Sequence, residues 1–92
     1  MRDPPPVTVK LVYLARLREA FGATGESFRI TEAGDGTVAA LLDSLRSRGG
    51  AYARELDRGR AVRVAVNHAL AQPGDSLHDG DEVALLPPVT GG

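Results

Sequence analysis

The stretch Thr37–Gly50, "TVAALLDSLRSRGG", decides how the rest of the chain is read. Val38, Leu41, Leu42 and Leu45 fall at i, i+3, i+4 and i+7, a single apolar stripe along a helix. Thr37 is the expected N-cap, because its hydroxyl oxygen can accept a free backbone N–H of the first turn. Arg46 and Arg48 are placed in the last turn, where cations suit the helix dipole, and Gly49 and Gly50 stop it. The expected helix is therefore Val38–Arg48. One apolar stripe needs a sheet to cover, and the flanking sequence supplies the strands.

Upstream, Val7–Leu14, "VTVKLVYL", is β-branched and apolar and reads as a strand. Val7, Val9, Leu11 and Tyr13 share one face by period two. Thr8, Lys10, Val12 and Leu14 share the other, which Lys10 marks as the wetter. Ala15–Phe21 predicts a short helix ended by Gly22, and Glu26–Thr31 a second strand with Phe28 and Ile30 on one face. Downstream, Tyr52–Leu56 predicts a brief helical turn. Ala61–Val66 predicts a third strand with Val62, Val64 and Val66 inward. Asn67-His68 turns the chain into a short returning piece around Leu70. After the turn signals Pro73-Gly74-Asp75 and Asp79-Gly80-Asp81, Glu82–Leu86 is the last strand, with Val83 and Leu85 on one side. The first two strands, joined by a short connection, can pair antiparallel. The architecture expected is α+β, a mixed sheet with one main helix on one face. The organisation expected is a domain over residues 1–86, disordered at its start (Arg2–Pro6), followed by an extended, flexible Gly-Gly tail over 87–92.

Composition narrows the function classes. The 92 residues fit one domain with a modest core. There is no cysteine, which removes disulfides, thiolate metal sites and a cysteine nucleophile. With 11 basic and 12 acidic residues the net charge is −1, so no field calls for nucleic acid or an anionic membrane. Two tyrosines, two phenylalanines and no tryptophan argue against a base-stacking platform. Every basic residue but Lys10 is arginine. No apolar run approaches the roughly 20 residues that span a bilayer, and "MRDPPPV" lacks the apolar region of a signal peptide, so a cytoplasmic protein is expected. His68 and His78 read as turn and surface residues. Asp75, Asp79, Asp81 and Glu82 lack the spacing of an EF-hand loop and read as turn formers. Arg54, Arg58, Arg60 and Arg63 are interrupted by Glu55 and Asp57 and read as a solvated face.

The remaining signal is the tail, "LLPPVTGG" at Leu85–Gly92. Pro87 and Pro88 donate no backbone N–H and favour an extended form. They stop the last strand from pairing further and preorganise the tail for a partner's groove. Gly91 and Gly92 lack side chains and can thread a narrow channel. An activating enzyme could then join the Gly92 carboxylate to AMP, leaving an acyl-adenylate open to sulfur or an amine. By alternation, Val12, Leu14 and Leu86 lie on the sheet face away from the helix.

The segments "VKLVYLARLREAFG", "TVAALLDSLRSRG", "VAVNHALA" and "LHDGDEVALLPPVTGG" together resemble the MoaD family, the ubiquitin-like sulfur carriers that form the small subunit of molybdopterin synthase. The ending "PPVTGG" carries the more specific part of the likeness. The resemblance implies a ubiquitin-like β-grasp fold. It implies that an adenylating enzyme related to ubiquitin-activating enzymes uses ATP to activate Gly92, and that a sulfur donor protein converts it to a thiocarboxylate. No tightly bound cofactor or metal is implied. The tail then enters the large synthase subunit and delivers sulfur to cyclic pyranopterin monophosphate, in a heterotetramer with a small subunit at each end. Carried over, Gly92 bears the thiocarboxylate, Gly91 gives clearance, and Pro87, Pro88, Val89 and Thr90 line the partner's channel. First and last strands are neighbours in the implied fold, so Leu14 and Leu86 are expected to form an apolar docking patch beside the tail. The general acids and bases belong to the partner, so the chain is expected to be a non-catalytic subunit. The same residues leave open a carrier for cysteine, thiamin or tRNA thiolation, a protein modifier acting through Gly92, or an inert interaction module.

Overall fold

A computed structural model of the chain describes residues 7–30 and 36–87. The expected leader (residues 1–6) and most of the expected tail (88–92) lie outside the described residues. The elements run β1 (Thr8–Tyr13), α1 (Arg16–Phe21), β2 (Gly25–Arg29), α2 (Val38–Arg46), α3 (Gly50–Glu55), β3 (Arg63–Val66), β4 (Ala69–Leu70) and β5 (Glu82–Leu86).

The five strands form one mixed sheet in the order β2-β1-β5-β3-β4. β1 pairs antiparallel with β2 and parallel with β5, while β3 is antiparallel to both β5 and β4. The period-two pattern is realised: Val9, Leu11 and Tyr13 of β1, Val64 of β3, and Val83 and Leu85 of β5 are buried on one face. Val38, Leu41 and Leu45 of α2 are buried in the same core, with Leu17, Ile30, Leu56 and Leu77. Leu42 and Phe28 pack against it half-buried. The apolar stripe of α2 is thus what the sheet's inner face covers, and burying each such leucine or valine contributes about 1.5–3 kcal/mol.

The start of α2 is secured from a distance. Ala40 N–H donates to Thr37 Oγ1 at 3.2 Å, as the N-cap residue type predicts. Val38 N–H and Ala39 N–H donate to the carbonyls of Asp75 and Pro73, so the 73–75 turn satisfies two more amides of the first turn. That turn is itself held by Asp75, whose Oδ2 accepts from Gln72 N–H at 2.9 Å. Asp79 and Asp81 act alike: Asp79 Oδ1 accepts from Thr8 N–H, and Asp81 Oδ2 from His78 N–H.

The end of the helix departs from expectation. α2 stops at Arg46, and Gly50, expected as a stop, opens α3. Arg48 lies beyond the last turn because its guanidinium is drawn across to β2, where it makes a bidentate pair with Glu26 at 2.8 and 2.9 Å. The predicted single turn at Tyr52–Leu56 is the six-residue α3, and Leu56, its C-cap, is buried.

Arg48, Glu26 and the four aromatic residues make one cluster. Tyr13 is fully buried, and its hydroxyl donates to Glu26 Oε2 at 2.6 Å. Phe21 and Tyr52 stack with centroids 4.2 Å apart, and Tyr13 meets Phe21 edge-on at 4.9 Å. The Arg48 guanidinium sits 4.9 Å from the Tyr52 ring centre and 5.6 Å from that of Phe28. Hydrogen bonding from Arg48 holds the Glu26 carboxyl below its ordinary value, against the opposing effect of burial. Burial, then Glu26, pushes the Tyr13 hydroxyl far up, so it stays protonated and donating. This cluster ties β1, β2, α1 and α3 together at the end of the sheet from which β5 leaves.

Candidate functional site

The sheet's outer face is the one not covered by helices, and the strand register fixes its pattern. Gly25, Val12, Ala84, Ala65 and Leu70 form one row across all five strands. The next row toward the end of β5 contains Leu86, opposite Arg63. Leu14 continues the alternation one residue past β1, and its N–H donates to the Leu85 carbonyl at 3.1 Å, extending the parallel ladder. Leu14 is therefore brought beside Leu86, as expected from the pairing of first and last strands. Both are half-buried, as is Val12. Pro87 follows β5 directly and is half-buried, while Pro88, Val89, Thr90, Gly91 and Gly92 lie outside the described residues.

One residue of this face escaped the sequence reading. Leu70 is 69% exposed, a large apolar side chain left open on β4. It stands opposite Ala65 because Asn67 and His68 close a two-residue hairpin with φ of 50° and 72°. Those paired positive values are the geometry that matches strand twist in tight hairpins. Asn67 is bound in place: its Oδ1 accepts from Glu82 N–H at 3.0 Å and its Nδ2 donates to Asp81 Oδ1 at 2.9 Å. The signal was present in "VAVNHALA": a two-residue turn at Asn67-His68 puts Leu70 on the face opposite Val64 and Val66. The face thus runs from Leu14 and Leu86 at the root of the tail, over Val12, Ala84 and Ala65, to Leu70 at the far edge.

Chemically, this face offers an apolar band with the exposed Lys10 and Arg63 beside it. Tyr13 is sealed in the core, and His68 and His78 stand in exposed loops, His68 Nε2 3.5 Å from Glu82 Oε2 and His78 Nδ1 3.9 Å from Asp81 Oδ2. No group of three or more His, Cys, Asp or Glu among the described residues could hold a metal ion. No helix of the described residues is long and apolar enough to cross a membrane. This apolar band lies at the foot of a strand that runs into Pro87.

Comparison with known proteins places this architecture. The model of the ThiS family matches residues 11–92. The molybdopterin synthase sulfur carrier subunit of Escherichia coli is 36% identical over 84 residues, covering 91% of this chain and 99% of that protein. The protein of the same name from Mycobacterium tuberculosis is 37% identical over 87 residues, covering 94% and 99%. Among solved structures, a candidate molybdopterin converting factor subunit 1 from Pyrococcus furiosus superposes with a TM-score of 0.74 at 31% identity, covering 90% of this chain and 99% of that one. The small archaeal modifier protein 1 of H. volcanii gives 0.66 at 32% identity, covering 90% and 99%. The ubiquitin of Caldiarchaeum subterraneum, at 15% identity, gives 0.60 over 96% and 100% and shares the fold alone, the β-grasp. The mixed sheet, the crossing helix and a family match running from Leu11 to Gly92 agree: the chain belongs to the ThiS family.

Proposed function

We propose that this protein is a sulfur carrier of molybdenum cofactor biosynthesis, acting as the small subunit of molybdopterin synthase. The observation that carries the reading is the likeness to molybdopterin synthase sulfur carrier subunits at 36% and 37% identity across nearly the whole chain. Gly92 carries the reactive group. A ubiquitin-activating-like enzyme uses ATP to adenylate its carboxylate, and a sulfur donor protein converts the adenylate to a thiocarboxylate. The acyl carbon of a thiocarboxylate holds sulfur that is nucleophilic at neutral pH, so a chain without cysteine can still deliver it. The large subunit takes Pro87–Gly92 into its active site, and Gly91 gives the tail passage past the channel walls. There the sulfur passes to cyclic pyranopterin monophosphate, with the partner supplying acid and base. Leu14, Leu86 and Leu70 seat the carrier, and no tightly bound cofactor is needed on this chain. The protein meets these reaction partners in the cytoplasm.

The likeness to an archaeal modifier protein supports a second reading, isopeptide linkage of Gly92 to other proteins. Reconstitution separates the two. The thiocarboxylated chain, mixed with the large subunit and the cyclic pterin precursor, is expected to yield the dithiolene product with stoichiometric loss of the thiocarboxylate. Retention of the thiocarboxylate beside a large subunit that works with its own carrier would assign the chain to another pathway.

A further inference from the structure

The outer face is cationic although the chain carries a net charge of −1. Lys10, Arg29 and Arg63 lie on it, opposite Glu82, Thr8 and Leu86 in the strand register, and all three are exposed. Among the described residues, Glu82 is the one carboxylate on the strands of this face. It stands at the end of β5 away from Leu86, with His68 Nε2 at 3.5 Å. Arg16, Arg46, Arg48, Arg58 and Arg60 are ion-paired, whereas the Arg63 guanidinium has no partner among the described residues.

Arg63 is the cation set among the leucines. It stands beside Leu86 across the β3–β5 ladder, and Leu70 lies opposite Ala65, two residues further along β3. Arg63 and Leu70 also line one cleft of about 210 Å³, with Leu42 and Val62. With strands about 4.8 Å apart and a rise of about 3.4 Å per residue, the backbones at Leu86 and Leu70 are about 12 Å apart. Arg63 and Ala65 fill that interval, so a partner that covers both leucines covers Arg63 too. A guanidinium does not lose its proton in a protein. Covering it without a counter-charge leaves a desolvated, unpaired cation, a cost that offsets what the leucines contribute.

We infer that Arg63 is the specificity residue of this face: the surface that docks here is a protein patch whose apolar contact holds an Asp or Glu carboxylate, which accepts two N–H bonds from the Arg63 guanidinium. The inference rests on the carrier reading above, in which the occupant is the large synthase subunit. Apolar contact alone discriminates poorly between partners. A patch with a cation or no charge at that place is rejected, because Arg63 is then repelled or left unpaired. The planar fork of arginine suits the task, since it grips a carboxylate in one geometry. That fixes the register in which Leu70 and Leu86 meet the partner. Lys10 and Arg29 lie to the side of this contact and add to the field that draws an acidic surface in.

The test titrates the full chain into the large subunit by calorimetry at low and at high salt. Arg63→Glu is expected to weaken binding roughly a hundredfold, and Arg63→Lys, which keeps the charge and loses the fork, about tenfold. Arg63→Leu decides the matter, because leucine matches the apolar neighbours. It weakens binding only if it leaves a carboxylate unpaired across the interface, and the loss expected is about tenfold, with a smaller dependence of Kd on salt. Arg29→Glu, on the same face at the β2 edge, is expected to stay within about threefold of wild type. Arg63→Leu binding as tightly as wild type or more tightly, an unchanged salt dependence in that variant, or an equal loss in Arg29→Glu would each overturn the inference. A wild-type chain that fails to bind a large subunit competent with its own carrier would instead bring down the carrier reading, and this inference with it.

Discussion

Leu70→Ala tests the outer face most cleanly, because Leu70 touches the solvent more than the protein. With 69% of its surface exposed, little of the residue supports the fold. Fully burying a leucine side chain contributes about 1.5–3 kcal/mol, so covering the open part of Leu70 is worth about 1–2 kcal/mol to a partner. Truncation to alanine removes most of that, and 1.4 kcal/mol is a factor of ten in Kd. Binding to the large synthase subunit, measured by titration calorimetry, is expected to weaken by roughly five- to thirty-fold. Urea unfolding of the isolated carrier is expected to move by no more than about 0.5 kcal/mol, as for other surface changes. A Kd within twofold of wild type, with the fold intact, would remove Leu70 from the interface and confine docking to the tail and its root.

Leu86→Asp places a charge beside Leu14 at the root of the tail. It is expected to weaken large-subunit binding at least tenfold in the same titration while leaving the circular dichroism spectrum unchanged. Glu26→Gln removes the charge that Arg48 and Tyr13 hold at 2.6–2.9 Å. Both charged side chains are about a third exposed, so water screens the pair and the loss is set at about 1–2 kcal/mol. Since the folded carboxyl titrates below its ordinary 4.5, that contribution is complete above pH 4.5 and fades as pH falls through the folded value. Wild-type and variant stabilities, followed by thermal unfolding, should therefore converge in acid; a gap that persists undiminished at pH 2 would refute the ionic account. Gly25→Ala would drive a Cβ into the carbonyl oxygen of Leu11. It is expected to cost about 1–3 kcal/mol by forcing β1 and β2 apart, read as a lower urea midpoint.

Much of this fold was legible because it rests on local rules. Glu82–Leu86 alternates between a buried and an open face, and β5 has those bounds. Thr37 caps α2 because its residue type and the stripe behind it leave little choice. Asn67-His68 announces a hairpin, although which side chain that hairpin would leave open at Leu70 needed the register. What local pattern missed was set by partners far along the chain. Arg48 reads as a helix-end cation, yet it is drawn to Glu26, 22 residues away. The 73–75 turn reads as a loop, yet its carbonyls complete the start of α2. Leu14 and Leu86 could be paired only by knowing that the first and last strands are neighbours, which came from the resemblance and not from spacing.

We propose that Gly92 carries sulfur. The measurement that tests it most directly is the intact mass of the full chain after incubation with its adenylating enzyme, ATP and a sulfide source. A gain equal to one oxygen replaced by sulfur is expected, absent when Gly91 and Gly92 are deleted. An unchanged mass, beside an authentic carrier that gains sulfur in the same mixture, would contradict it.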